Sequence, residues 1–405
     1  SENYERRFIM TFPNETLPKG RKQKTTALYD RFVNQGAVMG DGFGLESVLW
    51  FANNKEDAFE EPTIKRSRSH SYVSKEVINV RENVGVMELA NFSKHEFKGP
   101  DSKKFLDYVM AGKLPKPGRI SLSPMLTKKG KLYGDLTIAC MDENEYMIFG
   151  SGAAQEMHRR WFESHLGKFN VKYKNRSDEF HGLAISGPKS REVLQKVVRE
   201  EVSNKSFKFR DSKRMYVAGV PAIVNRISFT GELGYEIYVA PHYQLKLYEE
   251  LTDSGKEFNI KPFGLRALMS MRLEKNWGAW TLDYRPDFTA KETGLDTFIN
   301  WDKEFIGKKF AKDDNSRNKL TPIIVETNEI DVTYNEAVLK NDKAIGYITS
   351  GGFAHFVNKS IAFSYLDTNE LNSGKGIQVE INGDLFNCSI IKEPLYDPSG
   401  QKMRN

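Results

Sequence analysis

Along residues 226–239 (RISFTGELGYEIYV) apolar side chains fall at every second place on either side of a glycine-containing turn. The runs 227–229 and 235–239 predict a β-hairpin that holds Glu232 near its tip. A different period governs residues 263–277 (FGLRALMSMRLEKNW). At about 100° per residue, Leu265, Leu268, Met269 and Asn276 share one side of a helix, with Arg272 in their midst. A guanidinium on an apolar stripe needs an anionic partner, since leaving it unpaired in a core costs several kcal/mol. Glu274 and Glu292 are candidates for a structural ion pair.

Shorter elements surround these two. Residues 1–60 read as an irregular arm packing on the core: Pro13, Pro18 and Gly20 interrupt it, 25–35 suits a short helix, and GAVMGDGFGLESVLWFANN mixes glycines with Phe43, Trp50 and Phe51. Residues 61–170 form a first subdomain, with helices over 75–83 and 99–110, strands in VGVMELA and KHEFKG, and three strands between 119 and 151 separated by turns at KKGK and DENE. A second subdomain spans 171–319. Its HGLAISGPKSREVLQKVV repeats the strand, Gly-Pro, helix order of FKGPDSKKFLDYV, which reads as an internal duplication or as convergent use of Gly-Pro before a helix. From 320 to 405 strands and glycine turns dominate, with a hairpin through Asn382 and Gly383, predicting a small β-barrel or sandwich. The fold class expected is α+β, with two related subdomains and a C-terminal β-barrel.

Composition narrows the classes. The 405 residues are 39% apolar and 28% charged, with no apolar run long enough to cross a bilayer. The charged opening SENYERRFIMTF does not read as a secretory leader, so a cytoplasmic location is expected. A net charge of +6, spread over 60 basic and 54 acidic residues, favours small anionic ligands over a nucleic-acid surface. Cys140 and Cys388 stand far apart, which points to free thiols and leaves no zinc framework. No metal site is expected. No Gly-x-Gly-x-x-Gly opens a helix after a strand, so no dinucleotide-binding module is visible.

Several motifs, in order, resemble the folate-binding aminomethyltransferase family: the glycine-cleavage T-protein and the folate domains of dimethylglycine and sarcosine dehydrogenases. They are GAV-x-G-x-GFG-x-E-x-x-LWFA from Gly36, TGE-x-GYEI from Thr230, GLRA-x-x-S-x-RLEK from Gly264, TAKETGLDTFI from Thr289, DK-x-FIGK from Asp302, and EPLYDP-x-G-x-x-MR up to Arg404. The resemblance implies a fold built around a central folate pocket, with tetrahydrofolate as cofactor. Glu232 is then the residue that holds the pterin ring, a role that suits a carboxylate accepting two parallel N–H bonds. Phe229, Tyr133 and Arg272 become further cofactor-binding candidates, Arg272 because its helix lines the pocket in the family.

One departure bears on the chemistry. Where the T-protein carries two consecutive aspartates, the first of them catalytic, this chain has Gly134 and Asp135, and the family's upstream tyrosine is Leu122. That argues against glycine-cleavage aminomethyl transfer from a lipoyl arm. Asp135 remains the catalytic candidate, although alternation places it on the strand face opposite its neighbour. The expected activity is tetrahydrofolate-dependent methyl transfer from a small onium or amine compound such as dimethylsulfoniopropionate, glycine betaine or dimethylglycine. Trp50, Trp277, Trp280 and Tyr284 are the substrate-binding candidates, as walls for a cation. Alternatives are a folate subunit working with a separate flavoprotein, or a folate-binding regulator without activity. No nucleic-acid or membrane partner is expected.

Overall fold

The computed structural model describes residues 2–16, 18–371 and 376–405. After helix α1 (Tyr29–Asn34), strands β1 (Ala37–Gly42) and β2 (Leu45–Phe51) pair antiparallel across a turn in which Phe43 and Gly44 both take positive φ. The glycine-rich stretch expected to be irregular is therefore a ribbon: two successive left-handed residues make the tight turn that matches strand twist.

Two sheets follow, and their strands cross the expected boundary at 170. Strands β3 (Val84–Glu88), β9 (His181–Ser186), β10 (Ser212–Val217), β11 (Val220–Asn225), β12 (Gly234–Val239) and β13 (Ile260–Pro262) form one six-stranded sheet, ordered β10-β11-β12-β9-β3-β13. Strands β4 (Phe92–Lys98), β5 (Arg119–Leu126), β6 (Leu132–Asp142), β7 (Glu145–Ser151) and β8 (Lys172–Asn175) form the other, ordered β5-β6-β7-β4-β8. β3 thus joins the later strands and β8 the earlier ones, which ties the two halves together. The hairpin predicted at 227–239 is displaced: its first arm is β11, ending at Asn225, and residues 226–233 form the connection. The guanidinium of Arg226, buried on that connection, bonds the carbonyls of Phe207, Arg404 and Asn405.

Helices cover the outer faces. They are α2 (Ser69–Glu82), α3 (Ser102–Val109), α4 (Gln155–Leu166), α5 (Ser190–Val197), α6 (Gln244–Ser254) and α7 (Leu265–Glu274). The strand, Gly-Pro, helix unit has the same geometry both times it occurs. Gly99 and Gly187 sit at φ 139° and 133°, and Ser102 and Ser190 each donate a backbone bond of 3.0 Å to that glycine's carbonyl. Any side chain at either glycine would collide with a carbonyl oxygen, 2.5 Å from Cβ at position 99 and 2.3 Å at 187.

At the C-terminal end, β14 (Asn318–Val325), β15 (Ala337–Lys340), β16 (Lys343–Ala354), β17 (Lys359–Asp367), β18 (Ile377–Ile381) and β19 (Asp384–Ile390) close into a six-stranded barrel. Asn382 and Gly383 make its predicted turn, both with positive φ. Both cysteines are free. Among the described residues, no helix is long and apolar enough to cross a membrane.

Candidate functional site

β12 lies between β11 and β9, so both its edges are paired. Tyr235, Ile237 and Val239 are buried in the helix-covered core, and period two turns Glu236 and Tyr238 the other way, toward the second sheet. There Tyr238 stacks on Phe149 of β7 with ring centroids 4.5 Å apart. Glu236 is partly buried on that side. Its Oε2 accepts the Tyr238 hydroxyl at 2.9 Å. Burial pushes its carboxyl up to about 7, opposed by that bond and by the Lys94 ammonium. Glu236 lines a narrow internal cavity together with Phe92, Ser228, Phe229, Thr230 and Phe263.

A second carboxyl comes from the opposite sheet. A β-bulge at Tyr133, where Met125 pairs Gly134 and Leu126 pairs Leu132, sets the phase of β6. Leu136 and Ile138 enter the core beneath the helices, while Ala139 packs between the sheets beside Tyr238. Asp135 shares the face of Ala139 and so looks into the space between the sheets. Burial pushes its carboxyl up to about 7, with only its own backbone N–H opposing. A Cβ at position 134 would instead lie 3.0 Å from His158 Nε2 of α4. The site-facing position is therefore 135 and not 134, so the missing first aspartate removes nothing from the inter-sheet space.

Glu232, the residue the sequence singled out, is elsewhere. It is 1% exposed, and its Oε1 accepts from Arg81 Nη1 at 2.9 Å and from the Tyr396 hydroxyl. Arg81 also grips Glu274 at 2.6 Å and lies 3.9 Å from the Tyr396 ring centroid. Arg81 thus bridges Glu232 and Glu274 in the interior, whereas Glu236 lines the cavity. Alternation in GYEIYV was the available signal: a carboxylate in the middle of a mostly buried strand sits on the face opposite its apolar neighbours. Arg272 likewise serves structure. It donates to Asp283 Oδ2 at 2.7 Å, Ser350 Oγ at 2.8 Å and the Trp277 carbonyl at 3.0 Å. Its expected partner was misnamed: Asp283, not Glu274 or Glu292, holds the charge and ties α7 to the barrel.

The aromatic candidates do not converge. Trp50 is fully buried, donates to Glu60 at 2.7 Å and stacks on Tyr72, which makes it core. Trp277 stacks on Phe229 at 5.6 Å, beside the cavity. Trp280 and Tyr284 belong to a different cluster with Leu126 and Leu132, where Trp280 meets His158 and Tyr284 is the neighbour of Asp135. Tyr133 packs on Trp161 of α4 at 4.5 Å, on the helix side of its sheet. Among the predicted cofactor ligands, then, Phe229 alone lines the cavity. The cavity brings together aromatic rings on its walls, hydroxyls from Ser186, Ser228 and Thr230, and the Glu236 carboxyl, whose Oε1 carries no protein bond.

Comparison with known proteins agrees with this architecture. The GCVT N-terminal domain matches residues 28–303, and the glycine cleavage T-protein C-terminal barrel domain matches 318–397. Human mitochondrial dimethylglycine dehydrogenase is 34% identical over 403 residues, covering 97% of this chain and 46% of that protein. The chain thus spans about half the length of that relative. An aminomethyltransferase of Desulfitobacterium hafniense is 27% identical over 382 residues, 93% of this chain and 99% of the relative. The crystal structure of the glycine cleavage system aminomethyltransferase T from Bartonella henselae superimposes with a TM-score of 0.81 at 20% identity, over 93% of this chain and 99% of that one. The chain belongs to the glycine-cleavage T-protein family of folate-dependent one-carbon transfer enzymes.

Proposed function

We propose that this chain binds tetrahydrofolate between its two sheets and loads it with a one-carbon unit drawn from a small N-methylated amine of the dimethylglycine class. A redox site outside residues 1–405 oxidises the amine. The observation that supports the folate role is Glu236, which lines the cavity between the sheets with Phe229, Ser228 and Thr230; Asp135, on the inter-sheet face of β6, lies beside Tyr284. The amine class rests on the 34% identity with dimethylglycine dehydrogenase along 97% of the chain.

Glu236 would accept paired N–H bonds from the amino-pyrimidine edge and orient the ring, with Phe229, backed by Trp277, as a wall of the cavity. Tetrahydrofolate, when bound, supplies the nitrogens that take the carbon. Asp135 holds the proton that such a nitrogen gives up, a task suited to a carboxyl that burial has pushed up to about 7.

The test mixes purified chain with tetrahydrofolate and, separately, formaldehyde, dimethylglycine, glycine betaine and dimethylsulfoniopropionate. Faster methylene-tetrahydrofolate formation from formaldehyde than in buffer, with no product from the methylated compounds alone, is the expected result. Methyl-tetrahydrofolate formed from an onium compound without any electron acceptor would overturn the amine-oxidation reading in favour of direct methyl transfer.

A further inference from the structure

Between the two sheets lies a lysine with an unusual setting. Lys94 of β4 is fully buried, and its Nζ donates only to the carbonyls of Leu89 at 3.0 Å and Ala90 at 3.3 Å. The ammonium also sits 5.8 Å from the ring centroid of Tyr238, whose hydroxyl reaches Glu236. On its other side is Glu88, the last residue of β3, which accepts from Gln244 Nε2 at 2.7 Å and lines a second cavity with Ser47, Phe51 and Asn91. The two cavities share Met87 and Phe263 as walls. The remaining charged groups around Lys94 largely satisfy one another or stand neutral: Lys24 of the arm pairs with Asp178, and His181 of β9 bonds Gln244, while His95 is its neighbour on β4.

We propose that Lys94 is a positioning residue for folate recognition, a single counter-charge shared by Glu236 in the folate cavity and Glu88 in the adjoining one. A buried ammonium bonded to two carbonyls still needs a negative charge nearby, and one ammonium cannot fully compensate two enclosed carboxylates. The charge state of Glu88 therefore decides how strongly Lys94 supports ionised Glu236. Whatever protonates or neutralises Glu88 in its own cavity releases Lys94 to Glu236 and favours the pterin. Burial pushes both carboxyls up to about 7 and Lys94 down to about 7, so the three groups exchange charge in the neutral range.

The inference rests on Glu236 as the pterin ligand, and the experiment separates the two. Tetrahydrofolate affinity is measured from pH 5.5 to 9.5 under anaerobic conditions for the full chain and three variants. Glu236→Gln should abolish the acid-side loss of affinity; a wild-type pH profile in that variant would overturn the folate assignment itself. Lys94→Met should move the midpoint of that loss upward by about one pH unit, and Glu88→Gln should move it downward by several tenths. Opposite shifts support the shared counter-charge. Equal shifts, no shift, or a uniform loss of affinity at every pH overturns it. If Lys94→Met does not fold, as judged by near-ultraviolet circular dichroism, the direction of the Glu88→Gln shift decides alone.

Discussion

Replacing Glu232 and Glu236 by glutamine, one at a time, separates the ligand from the strut. Glu232→Gln leaves Arg81 buried with only Glu274, and truncating one member of a buried pair costs roughly 3–5 kcal/mol. Because Glu274 stays at 2.6 Å, the loss should fall near the lower end, about 3 kcal/mol. Glu236→Gln acts in the other direction. Its carboxyl rises from the usual 4.5 to about 7 in the folded protein. A raised carboxyl contributes stability that is full below about pH 4.5 and gone once the pH has passed about 7. At pH 8 its ionised form therefore burdens the fold by roughly 3 kcal/mol. Glutamine removes that burden and weakens one hydrogen bond from Tyr238 worth about 1 kcal/mol, for a net gain of about 2 kcal/mol. Folate affinity should behave oppositely: unchanged within about threefold in Glu232→Gln, and down roughly 10- to 100-fold in Glu236→Gln, the value of hydrogen bonds to a charged acceptor. Urea unfolding at pH 8 and equilibrium folate titration give the four numbers. A Glu232→Gln protein of normal stability that has lost folate would refute the reasoning and return the pterin to residue 232.

Other outcomes follow from the same geometry. Folate affinity of the native chain should fall as pH drops below about 7, approaching tenfold per unit, because protonated Glu236 can no longer accept two N–H bonds; a titration across pH 5.5–8 measures it. Trp50→Ala should destabilise by about 3–5 kcal/mol in urea while leaving KM for the amine or aldehyde substrate unaltered, since Trp50 is core. Asp283→Asn should cost at least about 3 kcal/mol by leaving the Arg272 guanidinium short of a counter-charge, and the same urea unfolding reads it. Gly187→Ala meets the Asn83 carbonyl oxygen at 2.3 Å and a φ of 133°, and should lower the thermal midpoint without changing the pH profile of folate binding.

Local patterning announced many of the elements, though not the β1–β2 ribbon or the first arm of the hairpin that ends in β12. Alternation announced β12, a 3.6-residue period announced α7, Gly-Pro announced two helices, and Asn382-Gly383 announced a barrel hairpin, because each depends on backbone preferences and one-sided burial within a few residues. The motif order carried the family, and free Cys140 and Cys388 followed from their number and separation. What lay beyond the sequence was which polar side chain is free to bind. Glu232 and Glu236 stand four residues apart in one motif, yet Arg81 and Tyr396, brought in from distant positions, hold the first while the second faces the cavity. Asp135 gained its orientation from a bulge that local propensity does not encode. Only the fold shows that Trp50 bonds Glu60 and Arg272 bonds Asp283. Secondary structure is a short-range property of the chain; the charge and hydrogen-bond balance of a buried group is a sum over everything packed around it, and only the tertiary fold performs that sum.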